Sequence, residues 1–128
     1  MKLLAVLAST LVLASSAAAA ELHPALKGGV PGFPKIPGKW SHVDLNVTIR
    51  RVPHTITLDR GRLTQVSQTQ LVIRESDGSL WTIPVTNQTI VAMFGRRASL
   101  FDLRKREQVE TMRVDGGPAV RVRVTSRR

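Results

Sequence analysis

Three histidines, His23, His42 and His54, are the residues from which chemistry would most readily be built. A metal site would want two of them on one face, at i and i+2 along a strand or i and i+4 along a helix. No pair has either spacing, and Met93 and Met112 stand in strand-like runs where a thioether fills gaps in a core. Hydrolysis would need a nucleophile, a base and an orienting acid. His54, Asp59 and one of several serines can be assembled on paper, but no Gly-x-Ser-x-Gly elbow exists to present the serine. Glycoside cleavage would need two acids facing one cleft, and most of the nine acids fall in turns or beside arginines. Cysteine is absent, which excludes thiol nucleophiles, thiolate zinc sites and disulfides. The sequence therefore predicts no catalytic residue, no metal ligand and no cofactor.

What remains is charge. Lysine and arginine total 19 against nine acids, a formal net charge of +10, and most of the cations are arginine. Guanidinium forks grip phosphate and carboxylate through paired hydrogen bonds, so the natural partners are an anionic polymer or an acidic protein. Two candidate anion-binding stripes stand out. One is Arg121 and Arg123 with Arg127 and Arg128 beyond; the other is Arg96 and Arg97, followed by Arg104, Lys105 and Arg106. The competing account is a generic basic surface that favours solubility. Single-stranded nucleic acid is disfavoured because stacking platforms are scarce. Only Phe33, Trp40, Trp81, Phe94 and Phe101 are aromatic, and Trp81 falls on a face assigned to the core.

The elements that must position these residues begin after a leader. Met1 to Ala20 carries Lys2, an apolar run through Leu13 and a small-residue end at Ala18-Ala19-Ala20, the form of a cleaved export signal. Its apolar run is short for a membrane anchor and no second one follows, so no transmembrane span is expected. The destination is periplasmic or extracellular. Residues 21–39 are rich in Pro and Gly, including Pro31, Pro34, Pro37 and Gly38, and read as a spacer rather than a helix or central strand.

From residue 40 onward the pattern is period two. Val43, Leu45, Val47 and Ile49 alternate with polar residues until Pro53, and residues 55 to 66 read as one curved strand bent at Gly61. Leu71 and Ile73 precede a turn at Glu75-Ser76-Asp77-Gly78, and Leu80 to Thr86 returns with Trp81, Ile83 and Val85 on its core face. Pro84, without an amide donor, belongs at an edge or bulge. Thr89 to Phe94 forms another short strand. Gly95-Arg96-Arg97 interrupts, and Ser99 with Asp102 has the spacing of a helix cap for a turn or two carrying Leu100, Phe101 and Leu103. Val109–Val114 and Ala119–Val124 close the chain across Asp115-Gly116-Gly117-Pro118, with Val120, Val122 and Val124 inward and Arg121 and Arg123 outward.

Gly61, Leu63 and Val66, then Leu71 and Ile73, Asp77-Gly78, Ile83-Pro84-Val85, Thr89-Ile90, Ser99 with Asp102 and Leu103, Val109, and Ala119 with Val122 together resemble a family of exported bacterial domains of unknown function. The likeness covers roughly residues 56–124. It implies an OB-like barrel and brings no catalytic residues. One departure is that Arg104-Lys105-Arg106-Glu107 stands where that family commonly has a Gly-Asp turn. The expected organisation is a signal peptide at 1–20, a Pro/Gly-rich linker at 21–39 and an all-β domain at 40–128. That domain is expected to be a small OB-like barrel of five to seven strands with one short helix. The expected function is a non-enzymatic exported binding module. The alternatives are a structural or assembly domain acting by edge-strand pairing, single-stranded nucleic-acid binding, and a small exported hydrolase whose cleft would hold His54.

Overall fold

A computed structural model describes residues 31–127. The expected signal segment, residues 21–30 of the linker and Arg128 lie outside the described residues. Eight strands form one mixed sheet: β1 (His42–Ile49), β2 (Val52–Val66), β3 (Gln70–Arg74), β4 (Leu80–Pro84), β5 (Ile90–Met93), β6 (Arg96–Ala98), β7 (Gln108–Val114) and β8 (Ala119–Ser126). The order across the sheet is β4-β3-β2-β7-β8-β5-β6, and β1 also pairs with β2. Among the described residues no helix is long and apolar enough to cross a membrane.

The alternation of apolar and polar residues does produce an all-β fold, but the sheet is not the closed barrel expected. Its two ends, β4 and β6, do not pair with each other. Pro84 denies β4 an amide donor and β6 has only three residues, so neither end offers a ladder on which to close. The sheet nevertheless curls. From β4 to β5 it counts five strand spacings, about 24 Å if flat, whereas the connection from Pro84 to Ile90 reaches about 20 Å fully extended. That connection is also folded into a turn, with Thr89 N donating to Thr86 O at 3.1 Å and Thr89 Oγ1 to Ala119 O at 2.7 Å. Only a curled sheet brings its ends within this reach.

Curling gives the molecule one main core. Leu63, Leu71, Ile73, Ile83, Val91, Val109, Val122 and Val124 pack together from six strands. Each such side chain contributes about 1.5–3 kcal/mol through removal from water. A second cluster occupies the opposite face, where Ile56, Leu58, Met112, Val114 and Val120 meet the apolar side of β1. Phe33, Ile36 and Trp40 lie on it, so residues 31–40 form a strap against the sheet where composition alone suggests a spacer. Met112 and Met93 do serve packing, the first buried in this second cluster and the second against the main core.

Two further local expectations are corrected. Arg96–Ala98 is a strand rather than an interruption, because Phe94 (φ 51°) and Gly95 (φ 80°) make a two-residue hairpin of the left-handed kind. Phenylalanine is an unusual first residue for such a turn, which hides it from composition. The expected short helix is a single 3-10 turn, Leu100–Asp102, closed by Ser99 N donating to Asp102 Oδ2 at 2.9 Å. Its side chains divide: Leu103 is buried just beyond it, and Phe101 stands 77% exposed.

Strand β2 positions everything that follows. Its first half pairs with β1 and its second with β3, while β7 runs along its other edge. A seam opens where β1 begins and β3 ends, beside Arg60 and Gly61. Arg60 N donates to Ser41 O at 2.8 Å there, and a Cβ on Gly61 would lie 2.5 Å from Arg74 O. Glycine is therefore required by close approach of two backbones.

Candidate functional site

Three groups of charged side chains result from this sheet. The first is an open groove of about 840 Å³ between β6, the 3-10 turn and the end of β8. Arg96, Arg97, Arg104, Lys105 and Arg127 line it, with Phe94 and Phe101. The acids in its wall are already engaged by their own loop. Asp102 accepts from Ser99 N and Oγ, and buried Glu107 accepts from Arg104 N at 2.5 Å. The loop is held by Leu63 N donating to Glu107 O at 2.9 Å and Arg106 N to Leu63 O at 2.8 Å. No ion pair is found for the five cations among the described residues. Arg127 sits 5.2 Å from the centroid of Phe94, a cation over an aromatic face. Phe94 and Phe101 are both exposed beside these cations, a placement that counting aromatics could not give.

The second group lies under the strap. Arg60 Nε and Nη2 donate to Glu110 Oε1 at 3.1 and 2.8 Å, and Arg123 Nε donates to Glu110 Oε2 at 2.8 Å. Trp40 covers Arg60 at 4.0 Å and Phe33 covers Arg123 at 4.4 Å. Arg121 Nε donates to Pro31 O at 2.7 Å. Arg121 and Arg123 alternate away from the main core as the sequence predicts, yet the face they reach is the one the strap covers. Of the sequence-predicted anion-binding residues, the structure thus brings Arg96, Arg97 and Arg127 together in the groove. It places Arg121 and Arg123 elsewhere, and Arg128 lies outside the described residues.

The third group sits at the seam. His42 and Asp59 face each other across β1 and β2, with His42 Nδ1 2.6 Å from Asp59 Oδ1. Arg113 Nη2 donates to Asp59 Oδ2 at 3.1 Å, and Asp59 is fully buried. Glu75, just past the end of β3, adjoins Asp59, so that one donor atom each of His42, Asp59 and Glu75 lies within 4.8 Å of the others. Burial, followed by hydrogen bonding to Asp59, pushes Glu75 up to about 7. The hydrogen bond to Asp59 raises His42 above its ordinary value. Thr57 Oγ1 donates to Asp44 Oδ1 at 2.7 Å and holds that carboxyl below its usual range. Trp81 is stacked on His42 with centroids 5.3 Å apart and planes at 15°, so it is a partly exposed cover over the seam and not a core residue.

Sequence spacing missed this third group because its members come from β1, β2 and the turn after β3 and meet only through register. The paper triad dissolves for the same reason. His54 is buried against Asp115, with Nδ1 2.5 Å from Oδ2, while Asp59 belongs to His42 and Arg113. His54 opens on a shallow pocket that it shares with Asp115, Asn46 and Thr55, with no second acid in its lining among the described residues. Comparison with protein-family models, curated proteins and solved structures returns no match for this chain.

Proposed function

We propose that this protein is an exported, non-enzymatic binding module that holds an anionic polymer in the groove beside the 3-10 turn. The observation that carries the reading is the convergence of Arg96, Arg97, Arg104, Lys105 and Arg127 with two exposed phenylalanines around one open space. Their ion-pairing capacity faces solvent, and the local acids are spent on loop hydrogen bonds. Forked donors at several points suit a chain of repeated anionic groups, and the phenyl faces suit the flat or apolar parts between them. An acidic protein segment is the alternative ligand for the same surface. The likeness of residues 56–124 to exported OB-like domains and the leader at residues 1–20 belong to the same reading, which places the partner in the cell envelope or outside it.

Retention on a sulfated polysaccharide matrix tests it. The wild type is expected to elute late and to lose retention steeply as salt rises. Arg96→Glu with Arg97→Glu is expected to remove most retention. Arg50→Glu with Arg51→Glu, an equal charge change at the β1–β2 turn, is expected to remove little. Absent or salt-insensitive retention, or equal losses from both pairs, counts against the groove.

A second reading rests on the open end of the sheet. Strand β4 carries exposed Leu80 and Trp81, and an extended segment of another chain could add beside it. A protein that stays monomeric at millimolar concentration would sink self-association through that edge.

A further inference from the structure

The seam holds two carboxylates and an imidazole whose arrangement asks for a fourth participant. Asp59 is completely buried and Glu75 is 5% exposed. Glu75 Oε1 is shut off from solvent and has no hydrogen-bond partner among the described residues. A buried carboxylate oxygen left in this condition costs free energy unless a proton or a cation serves it. One carboxylate oxygen of Glu75 lies within 4.8 Å of the donor atoms of His42 and Asp59.

The outer contacts of the three residues are those that orient metal ligands. His42 turns Nδ1 inward, and its other ring nitrogen, Nε2, lies 3.4 Å from Asp44 Oδ2, the carboxylate contact that fixes a ligating imidazole. Asp44 is itself held by Thr57. Arg113 occupies Asp59 Oδ2 and leaves Oδ1 directed at His42. Trp81 stacks on the imidazole and restricts its rotation. With His42 neutral, Asp44, Asp59 and Glu75 supply the negative charge of the seam; Arg113 is held on Asp59, while Arg60, Arg62 and Arg74 line the pocket on the outer side of Glu75. His42, its side chain 33% exposed, is the member of the three that reaches solvent.

We propose that His42 Nδ1, Asp59 and Glu75 bind one divalent transition-metal ion of the zinc class at the seam of β1, β2 and β3. One nitrogen and two carboxylate oxygens match the borderline preference of such an ion and leave a fourth position for water. Donor atoms around a tetrahedral zinc stand about 3.3 Å apart, so the 2.6 Å contact between His42 and Asp59 opens by under an ångström on binding. The ion pins the start of β1, the middle of β2 and the end of β3, which otherwise meet without a continuous ladder. This site is separate from the basic groove, and either can fail without the other.

Calorimetric titration of the purified protein with Zn²⁺ alone, at one fixed pH, is the test. One ion per chain is expected, with affinity falling at least tenfold in His42→Gln and in Glu75→Gln. Glu75→Gln retains an amide that can donate to Asp59, and strand circular dichroism verifies that each variant is folded. His23→Gln, which changes none of the three proposed ligands, is expected to bind as the wild type does. Zn²⁺ should also raise the Tm of the wild type, and that of Glu75→Gln by clearly less at the same concentration. Co²⁺ gives a reading that needs no variant: intense visible bands of a four-coordinate ion are expected, and the faint spectrum of the aquo ion overturns the site. Absence of saturable Zn²⁺ binding, undiminished binding in folded Glu75→Gln, or loss of binding in His23→Gln overturns it as well.

Discussion

Under the strap, Arg60 and Arg123 converge on Glu110 and are roofed by Trp40 and Phe33, whereas in the groove Arg96, Arg97 and Arg104 face open space beside Phe94 and Phe101. The ingredients are the same, arginine and aromatic rings, and the missing ingredient is a free acid. Glu110 turns its arginines into structure. Asp102 and Glu107 are bound to their own backbone and leave the groove's arginines available. In a chain this basic, the few acids decide which cations are structural and which can meet a partner.

Substitutions can break this contrast, beginning with the buried acid. Asp59→Ala would leave Arg113 and His42 without their shared counter-ion, and the expected loss is about 3–5 kcal/mol in urea unfolding. A partner-free acid elsewhere in the sheet would not show this. The pH dependence comes next. Glu75 in the folded chain holds its proton up to about 7, against an ordinary 4.5, so the native state binds more protons than the unfolded state in that interval. The Glu75 contribution to stability is therefore fullest below about 4.5 and declines as pH rises through 7, by at most about 3 kcal/mol in metal-free buffer, while Asp44 and Asp77, held below their usual range, act the other way in acid. The raised His42 acts in the same direction above its ordinary 6.5. Glu75→Gln should flatten the Glu75 part of the decline, as followed by thermal melts across pH.

Gly61→Ala forces Arg74 away from β2 and is expected to cost about 1–3 kcal/mol. Its sharper signature is separation of Glu75 from Asp59, seen as a weakened pH dependence. Arginine itself supplies the most direct comparison. Arg123→Ala should lower stability by about 1–3 kcal/mol and barely affect retention on an anionic matrix, since Glu110 loses a charged donor. Arg97→Ala should do the reverse, with stability unchanged to within about 0.5 kcal/mol and earlier elution. The smallest effect is expected from Phe101→Ala, which is stability-neutral and shifts elution only slightly. If Phe101→Ala melts early instead, the ring is packing and not a platform.

Much of the strand pattern was legible because alternation is local. Val43 to Ile49 and Leu71 with Ile73 need only their own spacing to declare a buried side, whereas β7 is buried on both faces and its spacing declares neither. Gly61 was legible as a special position, though not as the point where β3 closes on β2. The failures have a common cause. The hairpin at Phe94-Gly95 uses a residue that turns rarely choose, and Trp81 leaves the core because the seam offers its ring a histidine to cover. Closure of the sheet fails at its ends, where Pro84 lacks a donor and β6 is too short.

By itself the sequence determined an all-β chain, excluded thiol chemistry through the absence of cysteine, and set a large positive charge. It determined on which side of β8 Arg121 and Arg123 would point. Which arginines meet acids was decided only by the tertiary structure, because the pairings join residues far apart in the chain: Arg60 with Glu110, 50 positions on, and Asp59 with Arg113, 54 positions on. Charge composition is a sum over residues, whereas pairing depends on strand order, register and the strap laid over one face. The same dependence assembles His42, Asp59 and Glu75 at a seam that no spacing in the sequence announces.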